Sequence, residues 1–184
     1  NRGVGIAKGE LIAFADDDTS IAPDWLAVIV ETFRTRQADG VGGPTKPLWM
    51  GQRPSWLNDR LLRQLGIIDY GPTPFRVTGP STPFIGVNAA YRKSLFERHG
   101  GFDEGRQNSS QDVEWFLRAL RAGHVLVYQP HAAVSHKVDV SRCTKRDFAR
   151  RFFRHGRGCA LGLQEAGRDR AVCRVPLWVV RYWF

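Results

Sequence analysis

Three adjacent carboxylates, Asp16, Asp17 and Asp18, are the residues of this 184-residue sequence with the clearest capacity for chemistry. They repel one another, so a folded protein tolerates them best where a cation or solvent screens their charge. Carboxylate oxygens suit Mg²⁺ or Mn²⁺, with substrate phosphates completing the coordination shell. In an extended loop, Asp16 and Asp18 would face one side and Asp17 the other. A solvated acidic turn that caps the next helix is an equally good interpretation.

Asp112, within the segment 111–114, is the second carboxylate of interest. It falls in the first turn of a predicted helix, where the positive end of the helix dipole stabilises a negative charge. Helix capping is therefore one interpretation. The other is a general base that takes a proton from a substrate hydroxyl. Glu114 projects from another side of the helix, where it can contact substrate or solvent.

His136, Gly86 and Asn88 are weaker signals. His136 ends a predicted strand, where ligand sites collect in open α/β sheets, and neutral imidazole can bind a divalent metal beside two carboxylates. Gly86 allows close approach of the backbone to a ligand, and Asn88 offers both a donor and an acceptor to a substrate hydroxyl. The alternatives are a structural histidine, and a bulge followed by a turn.

The elements that must position these residues alternate between strands and helices. The apolar run 9–15 predicts a buried strand that ends at the acidic triplet. Pro23 suits the first turn of a helix, whose apolar face is predicted to contain Trp25, Leu26, Ile29, Val30 and Phe33. Further strands are predicted at 84–91, 125–128 and 132–135, with a helix from Ser110 to about Gly123. Residues 47–83 are predicted to be irregular around a helix at 57–65.

Composition favours a single domain, since 184 residues with 42% hydrophobic content can bury one ordinary core. The net charge of +9 is concentrated in residues 142–184, which contain eleven Lys and Arg residues against three acids. Such a basic segment suits phosphate groups, an anionic membrane surface or nucleic acid on charge alone.

The three cysteines form no CxxC pair, so neither a zinc ribbon nor a disulfide framework is supported. Reduced thiols in a cytosolic compartment are the better interpretation. No apolar run approaches the roughly 18 residues that cross a bilayer, and no secretory signal is visible.

Taken in order, these motifs resemble the family 2 glycosyltransferases of the GT-A fold. Residues 1–4 and 9–18 are similar to the family's approach to its DxD motif, and 23–26 to the following helix. Gln111-Asp112 stands where the family usually has Glu-Asp. The other matching positions are 84–92, 100–104, Arg118, Gly123, Tyr128, Pro130 and His136. The resemblance spans about residues 1–160 and implies an α/β fold, with a Rossmann-like mixed sheet flanked by helices.

The resemblance also implies an activity, namely inverting transfer of a sugar from a nucleotide-sugar donor to a saccharide or lipid-linked acceptor. Asp112 would be the catalytic base. Asp16, Asp18 and His136 would hold Mg²⁺ or Mn²⁺ on the donor diphosphate. The expected donor-binding residues are Asn1, Asp17, Arg150 and Arg151, and the expected acceptor-binding residues are Gly86, Asn88, Glu114 and Trp115.

Residues 1–140 are expected to form part of a GT-A catalytic domain, and residues 141–184 a basic helical extension. The family's first strands, which hold the nucleotide base and ribose, have no counterpart here. We therefore expect an N-terminally incomplete domain, and the fragment by itself need not be active.

Two binding partners suit the arginines of the extension, which are Arg142, Arg150, Arg151 and Arg154. They can contact the donor diphosphate or an anionic acceptor. Alternatively the extension rests on anionic lipid at the inner face of the plasma membrane, with its terminal aromatic residues at the interface. Nucleic acid is disfavoured because no binding motif is recognisable. Because Gln111 replaces the usual glutamate, a catalytically silent protein that binds carbohydrate or a partner is the alternative function.

Overall fold

The computed structural model describes residues 1–105 and 111–165, with side chains within these ranges as far as residue 156. The helices are α1 (Arg2–Ile6), α2 (Trp25–Thr35), α3 (Lys93–His99), α4 (Gln111–Arg121) and α5 (Lys145–Glu165), with 3-10 helices at Asp59–Leu65 and Val140–Arg142. The strands are β1 (Leu11–Ala15), β2 (Thr19–Ile21), β3 (Gly40–Gly42), β4 (Thr45–Trp49), β5 (Phe75–Arg76), β6 (Asn88–Arg92), β7 (Leu126–Tyr128) and β8 (Val134–Val138). In the part of the chain so described, no helix is both long and apolar enough to cross a membrane.

Two sheets organise these elements. The larger has the strand order β1-β6-β3-β7-β5, in which β3 and β7 are parallel and the other pairs antiparallel. The smaller has the order β2-β8-β4, with β2 antiparallel and β4 parallel to the central strand. A mixed sheet flanked by helices is the architecture that the sequence predicts. Because β1 is an edge strand, only Ile12 within it is buried, so the prediction of a buried strand is wrong there.

Helices cover both faces of the larger sheet. Alternation along β6 turns Tyr91 towards α3 and α4, and Ala90 towards α2 on the opposite face. The α2 side of the core is built from Trp25, Ile29 and Phe33, which recur every four residues. Leu26 and Val30 were expected on this face but are exposed, because the stripe that contacts the sheet is narrower than the apolar pattern suggests.

Trp115 lies at the centre of the layer between the sheet and α3. It is 1% exposed, stacks on Phe96 with ring centroids 4.2 Å apart, and donates a hydrogen bond to the Gly100 carbonyl at 3.1 Å. An acceptor cannot reach this indole. The expectation that Trp115 binds acceptor is therefore wrong, because the side chain belongs to the core that holds α4 in place.

Asn88 cross-links three segments from a buried position, with 1% exposure. Its Nδ2 donates to the Pro44 carbonyl at 3.0 Å and to the Ala132 carbonyl at 2.7 Å, while its Oδ1 accepts from Trp25 Nε1 at 2.9 Å. The amide therefore ties the end of β3 and the loop before β8 to α2. The expected acceptor contact of Asn88 is wrong, since these bonds occupy a side chain that solvent does not reach.

Replacing Asn88 by Ala should lower the free energy of unfolding by about 3 kcal/mol or more, because each stranded buried polar group costs about 1–3 kcal/mol. Urea denaturation followed by circular dichroism measures the change. The control is Asn58→Ala, which removes an exposed cap bond to the Leu61 amide and should cost about 1 kcal/mol. Equal losses in the two variants would contradict the cross-linking role of Asn88.

A histidine pair closes the junction between α3 and α4. His99 Nε2 and His124 Nε2 are 2.8 Å apart, and Asp39 Oδ2 lies 3.1 Å from His124 Nδ1. A carboxylate can only accept, so His124 is protonated at Nδ1 and its Nε2 accepts from His99. Arg118 reinforces the junction by donating to the His99 carbonyl at 2.7 Å. The pair shares one proton between the facing nitrogens and has no room for a second.

The stability of this junction should fall on acidification. Burial lowers the pKa of His99, and the neighbouring His124 imidazole and the positive charges of Arg98 and Arg118 lower it further. The unfolded chain then takes up a proton more readily than the folded one, so the stabilisation is full above pH ~6.5 and is lost as the pH drops.

The free energy of unfolding, measured at pH 7 and pH 5, checks this expectation. It should decrease less on acidification in His99→Gln than in the wild type. His131→Gln, at an exposed histidine, should lose as much as the wild type. An unaltered pH dependence in His99→Gln would count against the shared proton.

Candidate metal centre and catalytic carboxylate

The acidic triplet forms the turn between β1 and β2, and strand pairing aims it at His136. Thr19 closes the turn by donating its amide and its hydroxyl to the Asp16 carbonyl, at 3.1 and 2.6 Å. In the β2–β8 ladder Thr19 is opposite His136, and the Lys137 amide donates to the Asp18 carbonyl at 2.9 Å. The backbone of both strands therefore fixes the acidic turn beside the imidazole.

Asp16, Asp18 and His136 are brought together as the sequence analysis expects. One potential ligand atom from each lies within 4.8 Å of the others. His136 Nε2 is 3.1 Å from Asp18 Oδ1, close enough for an ion pair. Asp17 is exposed on the same turn, and its donor-binding role stays a prediction.

The cluster carries an electrostatic cost that a cation would relieve. Partial burial raises the pKa of Asp16, and the neighbouring charges of Asp18, Asp112 and Asp17 raise it further, against a smaller lowering by His136. In addition, the buried His136 Nδ1 makes no hydrogen bond among the described residues, and the 3.1 Å approach of His136 Nε2 to the buried Asp18 Oδ1 lacks hydrogen-bond geometry. Two carboxylates and an imidazole with unsatisfied polar atoms fit a divalent metal ion.

Asp112 approaches this cluster from the first turn of α4. Its Oδ2 accepts a hydrogen bond from the Gly86 amide at 2.8 Å, and its Oδ1 accepts from the Val113 amide at 2.9 Å. Its charge contributes to the raised pKa of Asp16. The carboxylate is thus both a local cap and a half-buried group whose charge acts on the metal-ligand cluster.

A cavity of about 270 Å³ joins the cluster to the basic helix α5. Its polar lining combines Asp18, His136 and Asp139 with the basic residues Lys137, Arg142 and Arg151. Anion-binding guanidinium groups and candidate metal ligands therefore share one space, an arrangement suited to a diphosphate. Lys137 was not singled out from the sequence, since a lysine after a strand is usually a solvated residue.

Arg151 is held in this cavity by its surroundings. Its Nη1 donates to the Gln64 carbonyl at 3.2 Å, and burial lowers its pKa, as do the like charges of Arg142 and Arg154. Arg150, by contrast, is 61% exposed, and its Nη1 lies 3.8 Å from Asp147 Oδ1. The structure thus brings Arg151 but not Arg150 into the space beside the metal ligands.

Two other expected site residues are engaged elsewhere. The Asn1 side chain donates to the Phe102 carbonyl at 2.8 Å and to Glu104 Oε1 at 2.6 Å, and it accepts from the Phe102 amide. Glu114 accepts a hydrogen bond from Arg118 at 2.9 Å. The Asn1 contacts hold the turn that precedes α4, whereas the Glu114 bond lies within α4. The donor and acceptor roles of Asn1 and Glu114 stay predictions.

Comparison with known proteins extends these observations. Residues 11–184 match the sequence model of glycosyl transferase family group 2. The glucosyl-dolichyl phosphate glucuronosyltransferase of Haloferax volcanii is 25% identical over 145 residues, which is 74% of this chain and 46% of that protein. The succinoglycan biosynthesis protein ExoM of Rhizobium meliloti is 29% identical over 154 residues, 82% of this chain and 47% of that protein. The chain spans about half the length of the curated relatives it matches.

Solved structures share the fold at low sequence identity. GalNAc-T7, determined with UDP, GalNAc and Mn²⁺, has a TM-score of 0.55 and 18% identity over 74% of this chain and 29% of that one. The mannosyltransferase PcManGT from Pyrobaculum calidifontis, in complex with GDP-Man and Mn²⁺, has a TM-score of 0.58 and 20% identity over 92% of this chain and 42% of that one. With the GT-A architecture so confirmed and the family model matched over residues 11–184, this chain belongs to glycosyl transferase family group 2.

Proposed function

We propose that this chain is the catalytic part of a metal-dependent, inverting glycosyltransferase that moves a sugar from a nucleotide-sugar to a hydroxyl of a saccharide or lipid-linked acceptor. The observation that carries the proposal is the arrangement around Asp18 and His136, which share a cavity with Arg142 and Arg151. The coupling of Asp112 to Asp16 adds a carboxylate on the same site. Two GT-A relatives, crystallised with Mn²⁺ and a nucleotide or nucleotide-sugar, support this assignment.

The donor side of the site recognises a diphosphate. Asp16, Asp18 and His136 would hold a divalent ion, which when bound neutralises charge on the departing nucleoside diphosphate. Arg142 and Arg151 donate charge-assisted hydrogen bonds to the phosphate oxygens from the other wall of the cavity. Anion recognition is thereby divided between the acidic turn and the start of α5.

The acceptor side of the site moves one proton. Asp112 takes the proton of the acceptor hydroxyl as that oxygen bonds to the anomeric carbon, while the bond from this carbon to the diphosphate oxygen breaks on the opposite face. A single displacement inverts the anomeric configuration. Among the described residues, each carboxylate oxygen accepts one backbone hydrogen bond, from Gly86 or Val113, which leaves it a second lone pair for the hydroxyl.

The metal ligands are tested without any turnover. Mn²⁺ binding, followed by electron paramagnetic resonance of the free ion, should weaken at least tenfold when Asp16 and Asp18 are both replaced by Asn, since the charged oxygen ligands are lost. The matched control is Asp24→Asn, because the Asp24 side chain makes no capping hydrogen bond at the start of α2. Wild-type affinity in the double variant would show that the ion binds elsewhere.

The proposed base is tested by sugar transfer, using a panel of nucleotide-sugars with Mn²⁺ and the protein as its gene encodes it. For the donor that supports turnover, Asp112→Asn should lower kcat by about 10²–10⁴-fold, the usual contribution of a general base, and leave donor affinity unchanged. The control is Asp59→Asn, at an exposed carboxylate paired with Arg53. Unchanged turnover in Asp112→Asn would refute the base, and retained anomeric configuration in the product would refute inversion.

A catalytically silent binding protein is the alternative function, and Gln111 is the residue that raises it. In the structure Gln111 Nε2 donates to the Asp103 carbonyl at 2.9 Å, so the amide holds the start of α4 against the preceding turn. This contact gives the residue a structural use that leaves the Asp112 carboxylate in place. Tight binding of a nucleotide-sugar that is never transferred to any acceptor would favour the silent alternative.

A further inference from the structure

The Gly86 amide contacts Asp112 from a part of the chain that does not move with α4. Asp112 accepts hydrogen bonds from two backbone amides, and these differ in what they fix. Val113 belongs to the same helical turn as Asp112, so its amide does not fix the carboxylate relative to any other element. Gly86 is 26 residues earlier, in the segment that leads into β6. The 2.8 Å bond from Gly86 is therefore the contact that positions the carboxylate relative to the sheet.

That segment is itself rigidly connected to the metal-ligand turn. Two residues after Gly86, the buried Asn88 is cross-linked to Trp25, Pro44 and Ala132. In the β1–β6 ladder Asn88 is also the register partner of Ala15, the residue before Asp16. A short path thus joins the Asp112 carboxylate to Asp16, through the hydrogen bond from Gly86, the chain from Gly86 to Asn88 and the pairing of Asn88 with Ala15.

The absence of a side chain at Gly86 has its own consequence. A Cβ built on this residue would contact Asp112 Cβ and Oδ2 at 3.7 Å, which is ordinary van der Waals separation. A methyl group fits there, and the backbone of Gly86 lies outside the positive-φ region. A longer side chain would extend over Oδ2, where the acceptor hydroxyl has to approach.

We propose that Gly86 is the positioning residue of the catalytic base: its amide fixes Asp112 against the metal centre, and its missing side chain keeps the approach to the carboxylate open. The inference rests on the proposed function of Asp112. It replaces the expectation that Gly86 binds the acceptor directly.

The amide is tested by replacing Gly86 with glycolic acid, which turns the peptide bond into an ester, removes the N–H donor and weakens the Ile85 carbonyl as the acceptor of the Asn88 amide. We expect kcat to fall about tenfold, as for one hydrogen bond to a charged group. The acid limb of the pH profile of kcat/KM should move to higher pH, because the ionised carboxylate has lost a donor. Donor affinity should not change.

The matched control is the same ester at Gly71, whose amide also donates to a carboxylate at 2.8 Å, that of Asp69. This control should keep the wild-type pH profile, even if it lowers stability. An unshifted acid limb in the Gly86 ester, in a protein that Asp112→Asn inactivates, would overturn the positioning role while leaving the function intact. A wild-type protein that transfers no sugar would overturn both.

The open approach is tested with side chains that retain the amide. Gly86→Ala adds a methyl group at ordinary van der Waals distance and should raise the KM for acceptor less than a longer side chain does. Gly86→Leu should raise the KM for acceptor at least tenfold with unchanged donor affinity, because the side chain covers Oδ2. An unchanged acceptor KM in Gly86→Leu would overturn this part of the proposal, and a folded state is verified in each variant by circular dichroism.

Discussion

Repulsion between carboxylates is the constraint around which the site is arranged. Asp16 loses hydration where β1 ends, and three other carboxyl groups, including that of Asp112, act on it in the same direction. Such a cluster persists in a folded chain only if other interactions hold its members together. Here the backbone of the turn and the β2–β8 ladder supply them, through Thr19 and the Lys137 amide. The charges are thus held together by strand pairing, and a divalent cation bound between them would offset their repulsion.

The larger sheet extends the same frame from the acidic turn to the base. β6 is the connecting strand, because it pairs with β1 on one side and with β3 on the other. Asn88 secures its beginning in the core, and Gly86 lies just before it. The core behind α4 then sets the distance of Asp112 from the sheet, since Trp115 stacks on Phe96 beneath the first turn of that helix. The distance between the proposed base and the metal ligands therefore depends on two things. These are the packing on one face of the sheet and the hydrogen bonds at the start of β6.

The acidic turn, the histidine and Asp112 could be predicted from the sequence because each follows or begins a regular element with a clear apolar pattern. Asn88 and Trp115 could not be placed correctly in the same way. Their residue types suit a ligand as well as a core, and only the long-range contacts to Ala132 and Gly100 decide between the two. The short strands β2, β4 and β5 escaped prediction for a related reason. Unlike the predicted strands of similar length, these three carry polar residues or a proline in place of an apolar run, and their existence depends on partners such as β8 and β7.

The arginines of α5 show how packing, rather than charge, selects the residues that reach the site. Successive residues of a helix point about 100° apart, and of Arg150 and Arg151 only Arg151 lines the cavity that contains His136. Phe148 is buried against Trp56 in the cluster that also contains Leu65 and Val138, with ring centroids of the two aromatics 5.1 Å apart. This apolar contact fixes the rotation of α5. Once it is fixed, Arg151 lies beside Gln64 in the cavity that contains His136, whereas Arg150 faces solvent. Arg150 and Arg151 carry the same charge, so the sequence alone does not distinguish their positions. The difference is set by Phe148, three residues before Arg151, and by the 3-10 helix against which Phe148 packs.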